Sequence, residues 1–586
     1  MATDPRSPVC LAPHFIFHSI NSSQGQIRLL EVAPGRNDEP IRCLYKIANV
    51  TDNVSYQTIS YVWGSMDSKR TIFVEGTAVE LTENLFHALH RMRHATGSRW
   101  LWVDALCINQ DDDAEKTAQV NMMHQIYSSC SQCAIWMGNI DTADLAATET
   151  EALAAARGAL DAIRILAGED TGPDLPTQLV TQHQHVQAGK ALKALMSAQW
   201  WSRIWTVQEA TSPRNLTVFW GPLSIPWSLV KKAAENLIGG RYLAEGRLDW
   251  YDLFPDGGAG FYTAPILGLI WAAEWAVQSP PPLEMLWRFR YRDSTDPRDK
   301  VYVILNLVPE GSYPLPSVPS SDYSISTATL FRNVMLDLLR DEQGLRPMIG
   351  FRGEHKRTPG LPSWVVDWSL PREGEGIARL WEHNQFWFDY TADRGLPMLD
   401  LDQMTSPQYG EEVLNLNGLF YDKVLARSDV IAEKWDEDRL KEMITTLIAQ
   451  TLAEEPRHRV ISEVYWQKAL SDLIEGAFVD QTAELEGMPA DEYWRDCMLG
   501  NQRLFITENG AVGLGPSTTS LGDEIWVLSG GRLPFLLGSL DIKEVAADGG
   551  ESSNHYQFRG DIFMPGIMSG EAVDSRKEAQ QIVHIH

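Results

Sequence analysis

Apolar and polar residues alternate in short runs through the first 140 positions, and between these runs apolar residues recur every three or four places. The pattern predicts strands and helices in turn. Strand-like pieces fall at 26–30 and 42–47, followed by a run at 56–62 that stops at Trp63-Gly64, where a glycine can turn the chain. Residues 72–74 form a short strand and Gly76 a turn. Thr82 caps a helix over 83–92, whose Leu85, Leu89 and Met92 share a face. In the segment Trp100 to Lys116, the apolar residues Trp100, Leu101, Trp102, Val103 and Leu106 read as a buried strand. Asp111, Asp112 and Asp113 then bring acid to a helix start, where the helix dipole favours it. Val120, Met123 and Tyr127 line that helix, and 134–137 is another strand, closed by Gly138. Such alternation predicts an α/β domain with a largely parallel sheet.

Beyond residue 140 the periods change. Residues 144–196 hold two Ala-rich helical stretches separated at 168–176, an insertion or linker without a reactive cluster. The segment 200–210 carries three tryptophans. Drawn as a helix, it sets Trp205 and Glu209 on one side and Trp201 and Gln208 on the adjoining face. A strand at 216–220 ends the first domain, 1–225. A mainly helical region, 226–384, contains the mixed-sign run from Arg288 to Lys300, which reads as an ion-paired joint. From 385 to 586 short strands near 413–416, 503–507, 524–528, 535–537 and 556–558 surround helices near 434–452 and 460–476. They predict an α+β domain with a small antiparallel sheet, in which Gly530-Gly531 marks a hairpin turn.

Composition narrows the partners. A chain of 586 residues with 44% hydrophobic content can fill several cores. Its net charge of -28 argues against an extended nucleic-acid surface or an anionic membrane as principal partner. No apolar run approaches the roughly 20 residues of a membrane-spanning helix. Six cysteines in so long a chain suit a reducing, cytoplasmic setting. Cys130 and Cys133 lack the second pair a zinc knuckle needs, so no metal site is expected.

The strand exit after Trp102 is where candidate chemistry concentrates: Asp104, Cys107, Asn109 and Gln110 arrive together, and open α/β sheets place ligands at such carboxyl ends. Thiol catalysis by Cys107 would require a base such as His124, but a cysteine buried after a strand is usually inert. Metal-assisted hydrolysis finds no HExxH and no complete calcium loop. Glycosidic cleavage by one carboxylate is the third chemistry. Glu209, beside aromatic surface, could hold ribose hydroxyls and stabilise positive charge on the sugar carbon.

Ser60-Tyr61-Val62-Trp63-Gly64, then Asp104-Ala105-Leu106-Cys107-Ile108-Asn109-Gln110 with Gln119 and Ile126-Tyr127, then Arg203-Ile204-Trp205-Thr206-Val207-Gln208-Glu209 closely resemble, in order, the fungal heterokaryon-incompatibility (HET) domain. Thr295 to Tyr302, Leu361 to Trp364 and the tail Gly566 to Ala572 extend the likeness over nearly the whole chain. The family is associated with regulated cell death after non-self recognition, and its domain is thought to be related to TIR domains, which assemble and in some cases cleave NAD. The resemblance therefore implies a TIR-like (flavodoxin-like), mostly parallel sheet and self-association through this domain, set off by an unidentified protein trigger. It also implies NAD or a related dinucleotide as substrate, with no bound cofactor. TIR domains carry Trp, then Cys, then Glu four residues after the Trp; Trp205, Thr206 and Glu209 stand at that spacing, with threonine in the cysteine position. By this comparison Glu209 is the catalytic carboxylate, and Tyr61, Trp63, Gly64, Asp104, Cys107, Asn109, Gln110, Arg203 and Trp205 line the ligand site. A non-enzymatic assembly module built from the same elements is the alternative.

Overall fold

In the computed structural model of the protein, the residues described are 9–10, 17–142 except 37, 53 and 66, 145, 148–169, 181–239, 253–254, 260–278, 281–307, 315–350, 358–370, 390–399, 401–404, 413–432, 437–454, 466, 468–469, 500–540, 554–575 and 580–586. The 168–176 break, the 460–476 helix and the 384/385 boundary expected from sequence lie wholly or largely outside them. The chain forms two compact units. One comprises 1–281, 292–313 and 319–324, and the other 282–291, 314–318 and 325–586.

The first unit is built on a ten-stranded sheet. Its strands are β1 (Val9–Cys10), β2 (Gln26–Val32), β3 (Arg42–Asn49), β4 (Gln57–Ser60), β5 (Lys69–Val74), β6 (Thr77–Thr82), β7 (Arg99–Trp102), β8 (Gln132–Trp136), β9 (Leu216–Trp220) and β10 (Leu223–Pro226), in spatial order 1-6-5-3-2-7-4-8-9-10. The sheet is mixed, which corrects the expectation of a mostly parallel one. β3 and β5, and then β7, β4, β8 and β9, run parallel to their neighbours, and the other neighbours are antiparallel. Short connections explain the difference. β5 and β6 are joined by Glu75 and Gly76, both at positive φ (51° and 75°), a turn too short for any crossover. β9 and β10 are joined just as tightly.

The parallel strands stand in the order second, first, third, fourth along the chain. From β4 the chain moves to β7 on one side and then crosses to β8 on the other. Helix α1 (Glu83–Met92) makes the first crossing. Its N-terminus is capped by Thr82, whose side chain accepts from the Leu85 amide, and Leu85, Leu89 and Met92 are buried. After β7 come one turn, α2 (Asp104–Cys107), then α3 (Asp113–Asn121) and α4 (Met123–Ser129). The strand thus ends at Trp102 and Leu106 belongs to the turn. Asp112 accepts from the Ala114 and Glu115 amides and starts α3.

Helices α5 (Glu149–Leu166) and α6 (Gln182–Met196) each begin with a reciprocal cap, Thr148 with Glu151 and Thr181 with Gln184. They pack with one another, and α8 (Trp227–Ile238) packs on α5, after the short α7 (Thr206–Thr211) and the last two strands. α9 (Gly260–Gln278) lies against α8 and α7, and α10 (Asp299–Leu305) closes the unit's helical part.

In the second unit seven strands form one sheet: β11 (Leu414–Arg427), β12 (Gln502–Thr507), β13 (Val512–Pro516), β14 (Glu524–Leu528), β15 (Phe535–Ser539), β16 (His555–Asp561) and β17 (Gln581–Ile585). The expected small antiparallel sheet is here closed on itself. The long β11 pairs with β14 along one edge and with β17 along the other, and β16 meets β17 in parallel. Closure satisfies both strand edges and encloses Leu419, Val424, Ile525, Val527, Leu536 and Met564 in one core. β12 and β13 extend from the far end of β11 as a hairpin. The helices Thr327–Glu342 and Glu437–Glu454 belong to the same unit. Among the described residues no helix is long and apolar enough to cross a membrane.

Candidate functional site

A cavity of about 710 Å³ opens in the first unit at the carboxyl ends of β4 and β7, beside the reversal in strand order. Open α/β sheets hold ligands at such reversals because the loops leaving neighbouring strands part there.

The exit of β4 supplies Val62, Trp63, Gly64 and Ser65 to the wall. Asn84 of α1 pins this loop, donating from Nδ2 to the Val62 carbonyl at 2.7 Å while its Oδ1 accepts from Trp136 Nε1 at 2.8 Å. Gly64 has φ +77°, and a Cβ there would sit 3.2 Å from Cβ of Asn84, so a larger residue would strain the turn.

The exit of β7 supplies Asp104, Ile108 and Gln110. Two strands grip the turn from beneath: Tyr45 of β3 donates its hydroxyl to the Leu106 carbonyl (2.6 Å), and Arg28 of β2 donates to the Cys107 carbonyl (3.0 Å). Arg28 also makes a two-pronged pair with Glu115 of α3, at 2.6 and 2.7 Å. Held this way, Asp104 accepts from Trp63 Nε1 at 2.9 Å. The indole and the carboxylate from adjacent strand ends are thereby fixed to one another.

Segment 199–209 forms the floor. It is not the single helix expected from sequence: a 3-10 turn, Gln199–Ser202, precedes α7, so Trp201 and Gln208 lie on different elements. Trp201 is buried with its ring edge-on to Trp200, whereas Trp205 lines the cavity. Glu209 is only 4% exposed yet reaches the cavity wall. Its carboxylate accepts from the Ser60 hydroxyl, and Ser60 in turn accepts from Trp200 Nε1 at 2.7 Å. Burial pushes the Glu209 carboxyl up to about 7, and Asp104 adds to the rise; the Arg203 charge and the Ser60 donor oppose it. Arg203 donates to the Tyr61 carbonyl and lies 5.9 Å from the centre of the Trp63 ring.

The last wall is one that sequence reasoning assigned to structure. Asp293, Ser294, Thr295, Asp296 and Asp299, together with Lys116 and Tyr323, complete the lining. Residues 202–204 and 293 pair as a short bridge: Ile204 donates to the Asp293 carbonyl (2.9 Å) and Asp293 to that of Ser202 (2.5 Å). Arg292 clamps the strap to α7 through Thr206 Oγ1 at 2.8 Å. The expected ion pairing is present as well, with Arg298 bonded to Asp296 at 2.6 Å.

Of the residues named from sequence, Trp63, Gly64, Asp104, Gln110, Arg203, Trp205 and Glu209 meet at this cavity. Tyr61, Cys107 and Asn109 do not line it. Tyr61 is buried behind the β4 exit. Cys107 is fully buried, and desolvation pushes its thiol up to about 12, which removes the thiolate needed for attack. The Asn109 amide donates to Glu115 at 2.7 Å, and its side-chain oxygen receives the Asp111 amide. Lys116, Tyr323 and the 293–299 wall were missed. Balanced charges in one run look self-contained in a sequence, and nothing local points to a partner ninety residues away. Among the described residues no group of three or more His, Cys, Asp or Glu is placed to hold a metal ion.

Known proteins agree with the motifs that build this site. Residues 56–209 match the family "Heterokaryon incompatibility protein (HET)" and residues 465–583 match the "Het-6 beta-barrel domain". Residues 56–209 thus carry a heterokaryon-incompatibility (HET) domain. Over 95% of its own length and 96% of the relative's, the chain is 24% identical to Heterokaryon incompatibility protein 6, OR allele, of Neurospora crassa. No solved structure gives a significant match. The HET match covers β4 through Glu209 and hence most of the cavity. The barrel match begins after β11, the strand on which the observed closure depends.

Proposed function

We propose that this protein acts in HET-type incompatibility signalling in the cytoplasm and that its first unit cleaves the nicotinamide–ribose bond of NAD, with Glu209 as the catalytic carboxylate. The observation that carries the reading is Glu209 itself, a buried carboxyl held near neutrality at the floor of a cavity walled by Trp63, Trp205 and Arg203. A carboxylate in so dry a place stabilises a developing ribosyl cation far better than one in water. The indole rings offer flat surface for nicotinamide. Asp104, Glu209, Asp293, Asp296 and Asp299 outnumber Lys116 and Arg203 around the lining, a balance that suits a pyridinium cation.

The strand order second, first, third, fourth supports a flavodoxin-like and TIR-like reading of the parallel strands, with the antiparallel ones as additions at both sides. The same kinship supports self-association through this unit after a protein trigger. Domains of 1–225, 226–384 and 385–586, with an insertion near 144–196, remain the division the sequence patterns favour.

The test is to incubate concentrated full-length protein with NAD and follow nicotinamide and ADP-ribose by chromatography. Release by wild-type protein and none by a folded Glu209→Gln variant is the expected result. Equal release by the two would overturn the assignment of Glu209, and no release by the wild type even when self-associated would favour a purely structural assembly module.

A further inference from the structure

The cavity holds a second buried carboxyl that the cleavage step leaves unused. Asp299 stands in the first turn of α10, is 8% exposed and lines the same space as Glu209. The Tyr323 hydroxyl donates to its Oδ1 at 2.6 Å, and the Trp205 side chain, itself part of the lining, favours its charged form. The carboxylate is therefore oriented by the Tyr323 hydroxyl. Its charged neighbours are Asp296, which Arg298 holds, and Lys116, whose ammonium lies 4.8 Å from the centre of the Tyr323 ring.

Hydrolysis needs more than a group that steadies a cation. When the bond between C1′ and the pyridinium nitrogen breaks, the electron pair leaves with nicotinamide, which departs neutral, and C1′ carries positive charge. Water then forms the new C–O bond and must lose a proton. Glu209 is bonded to Ser60 and faces the developing charge, which leaves the second buried carboxyl of the cavity as an acceptor for that proton.

We infer that Asp299 is the base that takes the proton of the attacking water, so that the site divides cleavage and capture between two carboxyl groups from distant parts of the chain. This rests on the NAD reading above and adds the residue that makes water the acceptor. Burial, with Asp296 adding to it, holds the Asp299 carboxyl at about 6, against the pull of Tyr323, Trp205 and Lys116: ionised at neutral pH, yet basic enough to accept a proton.

Base exchange separates the two steps. A pyridine such as 3-acetylpyridine captures C1′ through its nitrogen lone pair and has no proton to lose, so exchange requires Glu209 but not a base. With full-length protein, NAD and 3-acetylpyridine, Asp299→Asn is expected to lower hydrolysis about 100-fold while keeping exchange within a few-fold of wild type. Glu209→Gln abolishes both. Retained exchange itself certifies that the variant's site is folded. Tyr323→Phe, which removes a donor but leaves the carboxylate, is expected to change the ratio of hydrolysis to exchange without abolishing either. Parallel loss of both products in Asp299→Asn, or no loss of either, would overturn the role of Asp299 and leave that of Glu209 standing. Absence of both products from the wild type would overturn the NAD reading and this inference together.

Discussion

Ser60 donates its hydroxyl hydrogen to the buried carboxylate of Glu209, 149 positions further along the chain. The bond ties the last residue of β4 to α7 and so joins the first and last motifs of the HET match. It also stabilises the ionised form of Glu209. Removing the donor in Ser60→Ala favours the neutral acid, so the Glu209 carboxyl should move above about 7 and the acid limb of a pH–activity profile should shift to higher pH. The variant also strands the Trp200 indole N–H, at a cost of about 1–3 kcal/mol in denaturant unfolding. A profile that stayed in place would show that Ser60 does not tune the carboxyl.

Glu209 carries a second, thermodynamic signature. Its carboxyl is raised from 4.5 to about 7 in the folded protein, so the native state binds a proton more tightly than the unfolded chain. The stability this confers is complete below about pH 4.5, declines as pH rises and is lost above about 7. Glu209→Gln removes the titration. Relative to that variant, wild-type protein should lose on the order of 3 kcal/mol between those limits. Urea melts of both proteins across this range would check it, and parallel curves would contradict the burial of an ionisable group here.

Cys107 provides the opposite case, a reactive residue type rendered inert. With its thiol pushed up to about 12 and no surface exposed, it should resist iodoacetamide in native protein and react only on unfolding. Cys107→Ala should cost about 1–2 kcal/mol through lost packing while nicotinamide release continues. Loss of release in a stable Cys107→Ala protein would reopen thiol catalysis.

Trp63 and Asp104 offer a test of ligand positioning. Trp63→Phe keeps an aromatic face but removes the N–H that holds Asp104 at 2.9 Å. A freed Asp104 should weaken substrate binding by roughly tenfold, read as a higher KM with kcat less affected, because the Ser60–Glu209 contact is untouched.

How much of this was legible in the sequence follows from the range of the interactions. The Thr82 cap, the start of α3 at Asp112 and the turn at Gly64 depend on neighbours a few residues apart, and the pattern of side chains declares them. Asp104 stands where polar groups end an apolar run, whereas Trp63 and Glu209, the latter inside α7, joined it as a set through the resemblance to HET domains. The insertion of β2 beside β7 left no such trace, since a strand's alternation specifies a buried face and not the partner. Asp299 was hidden for the same reason. Its meaning lies in Tyr323 and the cavity it shares with Trp205, while its sequence neighbours Asp296, Arg298 and Lys300 suggested a self-neutralising structural joint. Barrel closure by β17 is also non-local, for it joins residues 414–418 to 581–585.

Arg28 shows how the site is supported from below, and it yields a prediction that separates stability from binding. Its guanidinium is 1% exposed, grips Glu115 with two bonds and donates to the Cys107 carbonyl, so that β2, α3 and the turn carrying Asp104 move as one body. Glu115→Gln keeps the shape but leaves a buried cation without its counter-charge. The expected cost is about 3–5 kcal/mol, since uncompensated burial of one partner outweighs the modest net worth of the pair. Replacing both partners at once, as Arg28→Met with Glu115→Leu, should recover most of that loss in chemical denaturation. Substrate binding should nonetheless stay impaired in the double variant, because the Cys107 carbonyl loses its donor and the Asp104 turn its anchor. A double variant with normal stability and normal binding would show that the pair serves folding only and that Asp104 is held by Trp63 and Tyr45 without it.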